Sequence, residues 1–203
     1  MIDIARERLP KEYERVILEE YYNLFTDMYG ATNPIFRGRK TFSTDESKLT
    51  KRDLVDPILT ASIGALESVY EDDNLEFVLN KESDGRISAV ARIRVTEGSD
   101  IHIADVLFLE YQSDEEKEQI ISAIIAELEE YARCLDCNDL YYEIPKFDDT
   151  GKYTAIKEGF TPINEPKKVT STHRTYVFHK SLNLIRGVSD GCTRSRKQTQ
   201  GNN

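Results

Sequence analysis

Hydrophobic positions near the N-terminus recur at helical spacing in two stretches. Over residues 11–29 apolar and tyrosine side chains return every three or four positions, which predicts an amphipathic helix. The same spacing over residues 53–70 predicts a second helix, and Pro57 suits the first turn of a helix that begins just before it. Between them, residues 31–47 are irregular, with one short candidate strand at residues 39–43. The N-terminal part is therefore predicted to be mainly helical.

The middle of the chain changes to short runs in which apolar and polar residues alternate. The alternation predicts strands at residues 75–80, 87–95 and 101–110, separated by tight turns at residues 83–86 and 97–100. The first of these turns contains Asp-Gly, a strong hairpin signal. Three strands joined by tight turns predict an antiparallel meander. One face of the second strand is expected to hold Ile87, Ala89, Ala91, Ile93 and Val95.

A long amphipathic helix is predicted after the third strand. Ser113 and Glu116 have the Ser-x-x-Glu spacing of a capping box, which satisfies two backbone N–H groups at a helix start. Asn138 is predicted to end the helix. The stripe that faces the core is predicted to comprise Ile120, Ile121, Ile124, Ile125, Leu128 and Ala132.

Two further strands and a short helix complete the pattern. A strand is predicted at residues 140–144, and because a whole helix precedes it, it can lie parallel to the strand before that helix. A short helix is then predicted, with Asp148 or Asp149 as its cap and Gly159 as its end. The last predicted strand covers residues 169–180.

Composition and charge fit one ordinary globular domain. The chain has 203 residues, of which 39% are hydrophobic and 32% charged. Residues 1–182 are predicted to form a single domain, with an N-terminal helical part at residues 1–74 and a sheet part at residues 75–182. Residues 183–203 are predicted to be a disordered tail. The formal net charge of −10 disfavours nucleic acid as the main partner, because an acidic surface repels phosphates.

The sequence also bears on location and metal binding. No apolar run approaches the roughly 20 residues that span a bilayer, and the charged N-terminus lacks the apolar segment of a signal peptide. Three cysteines are few, which favours a reducing compartment, so we expect a soluble cytoplasmic protein without a membrane partner. A homodimer is left open. Cys134 and Cys137 form a Cys-x-x-Cys pair, but zinc needs two more ligands, so no metal site is predicted.

The order of these elements resembles that of the GNAT N-acetyltransferase superfamily. The resemblance covers residues 75–180, and its most recognisable local piece is the sequence Lys-Glu-Gly-Phe at residues 157–160. It implies an α/β fold of the α+β kind, with a mixed, mostly antiparallel central sheet flanked by helices. It also implies that two splayed strands, at residues 101–110 and 140–144, hold acetyl-CoA as a cosubstrate beside the acceptor amine.

The phosphate-binding loop of the family is altered in this chain. Its pattern is Gln/Arg-x-x-Gly-x-Gly/Ala, and the glycines let backbone N–H groups approach the pyrophosphate of coenzyme A. Gln112 matches the first position, but Glu115 and Lys117 replace the glycines. The acidic first turn would repel a pyrophosphate, so the alternative is a capped, solvated helix start that binds no coenzyme A. The cofactor-binding residues that the resemblance implies are Leu107, Leu109, Gln112, Ser113, Asp114, Glu115, Glu116 and Lys117.

The catalytic acid of the family does not map directly onto this sequence. The position of the tyrosine that protonates the leaving thiolate holds Ala155, and Tyr153 or Tyr142 are the candidates to replace that tyrosine. The resemblance also implies that a backbone N–H near Leu109 polarises the thioester carbonyl.

Two carboxylates on the long strand, Asp105 and Glu110, are the candidates for a base that takes a proton from the amine. If Asp105 is buried, its pKa is expected to rise. Alternatively, Asp105 is a structural residue paired with an arginine such as Arg92 or Arg94. The face on which Asp105 is expected also holds Ile101, Ile103, Leu107 and Leu109.

Three hypotheses about function follow. The favoured one is an acyl-CoA-dependent N-acetyltransferase that acts on an unidentified primary amine, of a small molecule or a protein, by direct attack on the thioester. The acidic surface favours a cationic amine. The alternative is a non-catalytic GNAT-like domain that serves as a binding or regulatory module. A third hypothesis is an unrelated α+β interaction protein, which the lack of a gap between the two splayed strands would indicate.

Overall fold

The computed structural model describes residues 3–6, 9–30, 57–71, 75–96, 100–163 and 175–182. They form one mixed sheet with helices packed on both faces. The strands are β1 (Asp3–Arg6), β2 (Leu75–Lys81), β3 (Ile87–Thr96), β4 (Asp100–Phe108), β5 (Asp139–Pro145), β6 (Thr161–Pro162) and β7 (Thr175–Ser181). The helices are α1 (Glu14–Phe25), α2 (Pro57–Glu71), α3 (Asp114–Cys134) and α4 (Asp149–Lys157), and α1 continues into a π-helical turn (Thr26–Gly30).

The sheet order is β1-β2-β3-β4-β5-β7-β6. Neighbouring strands are antiparallel except β4 and β5, which are parallel. The connections explain this arrangement: β2, β3 and β4 follow one another through short connections, whereas the whole of α3 lies between β4 and β5. The predicted meander and the predicted parallel pair are both confirmed.

The two faces of the sheet carry separate cores. Helices α1 and α2 pack on one face through apolar side chains that include Ile17, Leu18, Leu66 and Val69. Helix α3 packs on the other face through the predicted stripe, all six members of which are buried, and Ala155 and Phe160 close the same core around α4. We refer to these as the α1–α2 face and the α3–α4 face.

Local signals in the sequence set the ends of α3 and α4. Ser113 Oγ accepts the Glu116 N–H and the Glu116 carboxylate accepts the Ser113 N–H, which is the predicted capping box. Asp148, one of the two predicted caps, accepts the Gly151 N–H at 2.8 Å. At the other end of α4, Gly159 has φ +88°, and the Phe160 N–H donates to the Ala155 carbonyl at 2.9 Å, as in a Schellman motif. The Gly-Phe signature is thus a helix C-cap.

Several elements differ from the sequence prediction. Strand β1 and the two-residue strand β6 were not predicted, and β1 adds a strand to the part of the chain expected to be helical. Ile87 does not share a face with Ala89, because a bulge in the β2–β3 pairing shifts the register between them and places Ile87 in the α1–α2 core. The predictions for residues 39–43, 53–56, 169–174 and 183–203 lie outside the described residues.

Candidate active site

Strands β4 and β5 separate after a short paired segment. Their pairing ends with Ile103 opposite Tyr142. Beyond this point β4 continues to Phe108 along β3, and β5 continues to Pro145 along β7. Each strand therefore keeps its outer neighbour, while the two inner edges diverge and no longer bond to each other. The predicted gap between the two strands is confirmed, which counts against an unrelated α+β fold.

A β-bulge lies where the two strands separate. On β3 the consecutive residues Arg92 and Ile93 face Asp105 and Ile103, so Ala104 is an extra residue on β4. Such a bulge bends its strand and increases the local twist, which turns β4 away from β5. Ala104 therefore marks the apex of the gap.

The bulge also exchanges the two faces of β4. Before it, Ile103 belongs to the α3–α4 core, and after it Leu107 belongs to the α1–α2 core. The side chain of Asp105 lies on the same face as that of Leu107, because it contacts Tyr21 on α1. The sequence prediction that one face of this strand runs through Asp105 from end to end was wrong, because strict alternation fails across an inserted residue. The side chains that this prediction grouped with Asp105 are Ile101, Ile103, Leu107 and Leu109.

Backbone groups of β4 face the gap beyond the bulge. The Leu109 N–H donates to the Ser88 carbonyl at 2.8 Å, on the β3 side. The N–H and C=O groups of successive residues point to alternate edges of a strand. Those of Leu107 therefore also point towards β3, and those of Val106 and Phe108 point into the gap. The Leu109 N–H itself already has a partner. The prediction of a backbone donor near Leu109 stays a prediction, and the neighbouring N–H groups of Val106 and Phe108 are the ones that face the gap.

Asp105 is a buried carboxylate whose two oxygens both have partners. Arg92 Nη2 lies 2.5 Å from Asp105 Oδ2, and the Tyr21 hydroxyl donates to Oδ1 at 3.5 Å. Arg92 Nη1 in turn donates to Ser68 Oγ at 3.1 Å. Burial raises the pKa of Asp105, as expected, and Arg92 and Tyr21 offset part of that rise. The pairing with Arg92 that the structural alternative for Asp105 expected is therefore present.

The carboxylate of Glu116 binds the N-terminus of its own helix, α3. Glu116 accepts from the Ser113 N–H at 2.8 Å and from Ser113 Oγ at 2.7 Å, and these bonds lower the pKa of Glu116. Asp114 and Glu115 are exposed on the same turn, and Gln112 precedes it half-buried. A negative charge therefore already sits where the helix dipole would favour a phosphate.

Comparisons with known proteins bear on this geometry. No protein-family model and no curated protein matches the sequence. Solved structures match the fold instead. A protein described as a GNAT-family acetyltransferase from Desulfovibrio desulfuricans has a TM-score of 0.51 at 13% identity, over 89% of this chain and 99% of its own. This chain has the GNAT fold.

Two further structures with the GNAT fold support the same conclusion. The PaiA N-acetyltransferase from Thermoplasma acidophilum, solved in complex with coenzyme A, has a TM-score of 0.52 at 10% identity, over 89% of this chain and 99% of its own. The aminoglycoside 6′-acetyltransferase type Ii has a TM-score of 0.54 at 10% identity, over 88% of this chain and 96% of its own. Identities this low show a shared fold and leave function to the site.

Lys117 is the residue that the sequence resemblance matches to the second glycine of the GNAT loop. Its Nζ atom lies 5.6 Å from the centre of the Phe108 ring at the end of β4. Burial raises the pKa of Asp148, the N-cap of α4, and the Gly151 N–H and the charge of Lys117 offset part of that rise. Lys117 therefore lies near both β4 and the start of α4, and it brings a cation to the part of the GNAT fold where the loop is altered.

The two candidate tyrosines lie in different environments. Tyr142 is buried on the α3–α4 face, next to the apex of the gap, and burial raises its pKa well above the usual range. It therefore keeps its proton and suits a hydrogen-bond donor better than an acid. Tyr153 is 61% exposed on the outer side of α4. Ala155, at the GNAT tyrosine position, is fully buried in the core.

Two further carboxylates lie near β4 and β5. Glu110 was a predicted candidate base, and Glu143 was not predicted. Glu110 pairs with Arg86, which also bonds Asp84 at 2.7 Å, so Glu110 is held beside the β2–β3 turn. Glu143, which the sequence analysis did not single out, is an exposed residue of β5 just beyond the last β4–β5 pair. Its position next to buried Tyr142 on an alternating strand was the signal that could have found it.

Neither a metal site nor a membrane span is found among the residues that the structure describes. Within residues 9–30, 57–71, 75–96, 100–163 and 175–182, together with 3–6, no three His, Cys, Asp or Glu side chains lie close enough to hold a metal ion. Cys137 is a buried free thiol, and burial raises its pKa. Over the same part of the chain, no helix is both long and apolar enough to cross a bilayer.

Proposed function

We propose that this chain is an acyl-CoA-dependent N-acetyltransferase that acts on a primary amine by direct attack on the thioester. The observation that carries the proposal is the gap between β4 and β5, with the bulge at Ala104 at its apex. A gap of this kind can hold two reactants from opposite sides and align them, which lowers the entropic barrier to their reaction.

The inner edge of β4 suits the arm of acetyl-CoA that carries the thioester. This arm is extended and contains amide groups, so it can pair with a free strand edge as an added strand would. The backbone groups of Val106 and Phe108 face the gap and offer that edge. One of their N–H groups, rather than that of Leu109, would polarise the thioester carbonyl.

The phosphate end of the cofactor fits the residues less well. The carboxylate of Glu116 occupies the first turn of α3, and Asp114 and Glu115 add charge of the same sign. Lys117 is the residue that would offset this repulsion, because it lies near both Phe108 and Asp148. We therefore expect acetyl-CoA to bind with an affinity that depends on Lys117 and is limited by Glu116.

The alternative function is a GNAT-like binding or regulatory module without catalysis. Two observations favour it: the self-capped start of α3 and the buried Ala155 at the position of the GNAT tyrosine. Neither affects the gap itself. The two functions therefore differ in whether acetyl-CoA binds and reacts, not in the fold.

Calorimetric titration with acetyl-CoA tests the proposal. The informative variant is Glu116→Gln, because glutamine keeps the bonds of the capping box and removes the charge. Glu130→Gln is the matched control, since Glu130 is exposed on the same helix near its other end. The enzyme proposal predicts binding to the unsubstituted protein, tighter binding to the Glu116 variant, and release of free coenzyme A when a primary amine is added. Binding by the Glu116 variant alone would favour the non-catalytic module instead.

A further inference from the structure

Glu143 lies on β5 at the point where the gap between β4 and β5 begins. It follows Tyr142, the last residue of β5 that pairs with β4, and its own partner on the other side is Val177 of β7. Glu143 is therefore the first residue of β5 that has a partner on β7 but none on β4. Its side chain is exposed.

The side chain of Glu143 belongs to the α1–α2 face of the sheet. Successive residues of a strand point to opposite faces, and Tyr142 is buried on the α3–α4 face. The bulge at Ala104 has brought Asp105 to the α1–α2 face as well. The two carboxylates also interact: burial is the main cause that raises the pKa of Asp105, and the negative charge of Glu143 adds to that rise.

Arg92, the arginine on this face beside Asp105, is already paired. Both terminal nitrogens of Arg92 have partners: Nη2 lies 2.5 Å from Asp105 Oδ2, and Nη1 donates to Ser68 Oγ at 3.1 Å. Asp105 likewise has both oxygens engaged, by Arg92 and Tyr21. Glu143 itself forms no ion pair with another residue that the structure describes. The buried pair is thus close to neutral, and Glu143 carries the negative charge at the opening.

We infer that Glu143 is the catalytic residue that binds the ammonium group of the acceptor and takes its proton, and that the acceptor is a positively charged primary amine. The inference rests on the proposed function and assigns the base to a residue other than Asp105. Arg92 and Asp105 act as a positioning pair, because their bond keeps the arginine from neutralising Glu143.

The proton balance is as follows. The acceptor enters as R–NH3+, and one proton passes from its nitrogen to the Glu143 carboxylate and on to water. The free amine then forms the N–C bond to the acetyl carbonyl carbon, and the C–S bond breaks. The second proton leaves the nitrogen and goes to the departing thiolate. The products are the N-acetyl amine, the thiol of coenzyme A and one proton released to solvent.

The test uses the full chain and measures thiol release from acetyl-CoA with three cationic acceptors: spermidine, kanamycin and a lysine-containing peptide. For the accepted amine, Glu143→Gln is expected to lower kcat/KM about 100-fold. Glu143→Asp should recover part of this loss, because it restores a carboxylate one methylene shorter. The Kd for acetyl-CoA should stay unchanged in both variants. Glu130→Gln, on the opposite face, should match the unsubstituted protein.

Each other result has a distinct meaning. If acetyl-CoA does not bind to the unsubstituted protein, the proposed function itself fails. If acetyl-CoA binds but none of the three cations accepts the acetyl group, the inferred substrate class is overturned. If a cation is acetylated and Glu143→Gln retains full kcat/KM, the role of Glu143 is overturned while the proposed function stands. If Glu143→Gln lowers the thermal stability of the protein along with kcat/KM, the result would also count against a catalytic role.

Discussion

Arg92 and Asp105 lie directly opposite each other on β3 and β4, at the edge of the bulge, with 2.5 Å between Nη2 and Oδ2. Both side chains are largely buried, and Asp105 is only 7% exposed. A buried pair costs desolvation that its attraction repays only while both partners are present. The pair therefore ties the stability of the sheet to the geometry of the gap.

Removal of one partner of this pair should be strongly destabilising. Asp105→Ala leaves the Arg92 charge buried, so the free energy of unfolding should fall by about 3–5 kcal/mol in urea titrations. The double variant Arg92→Met, Asp105→Leu should recover most of this loss, because apolar side chains of similar size need no compensation. A loss of about 1 kcal/mol or less for Asp105→Ala, as for an exposed pair, would contradict the burial seen here.

The capping box of α3 predicts a pH dependence of stability. Hydrogen bonds from Ser113 lower the pKa of Glu116 below its usual 4.5. A lowered folded-state pKa means that the stabilisation is present above pH 4.5 and is lost as the pH falls through the folded-state value. The difference in the free energy of unfolding between the unsubstituted protein and Glu116→Gln should therefore shrink on acidification. A difference that stays constant over this range would show that the charge of Glu116 contributes nothing.

Lys117 should control the affinity for acetyl-CoA if the proposed function holds. Lys117→Ala removes the cation beside Phe108 and Asp148, so the Kd should rise roughly 10- to 100-fold, as for the loss of a charged hydrogen bond. Lys117→Arg should keep most of the affinity. Arg133→Ala, at the far end of the same helix, serves as the control for net charge. Equal effects of Lys117→Ala and Arg133→Ala in calorimetry would exclude a specific contact.

Two glycines should respond oppositely to the same substitution. Gly159 has φ +88°, so Gly159→Ala should cost about 1–2 kcal/mol, although the added carbon would lie at an ordinary 3.7 Å from Lys180 Cε. Gly64 lies within α2 with no atom near the added carbon, so Gly64→Ala should stabilise the protein by about 0.5–1 kcal/mol. Chemical denaturation of both variants measures the contrast. A loss of stability in Gly64→Ala would contradict the open space beside Gly64.

The sequence by itself determined the features that depend on near neighbours in the chain. Periodicity predicted the helices and the longer strands, but not β1 or β6, because one face of each longer element must be apolar. The Ser-x-x-Glu spacing determined the start of α3, and the Gly-Phe pair determined the end of α4, since both caps are closed within a few residues. The parallel placement of β5 also followed, because a whole helix separates it from β4.

The tertiary structure alone decided the chemistry at the gap. An extra residue at Ala104 exchanges the faces of β4, and alternation along one strand cannot reveal an insertion that exists only relative to its partner. The same register directs the Leu109 N–H to Ser88 and commits Asp105 to Arg92. Glu143 became a candidate only when pairing between β4 and β5 was seen to end one residue before it. Strand pairing joins residues far apart in the chain, so their charges and free backbone groups are set by register and not by local sequence.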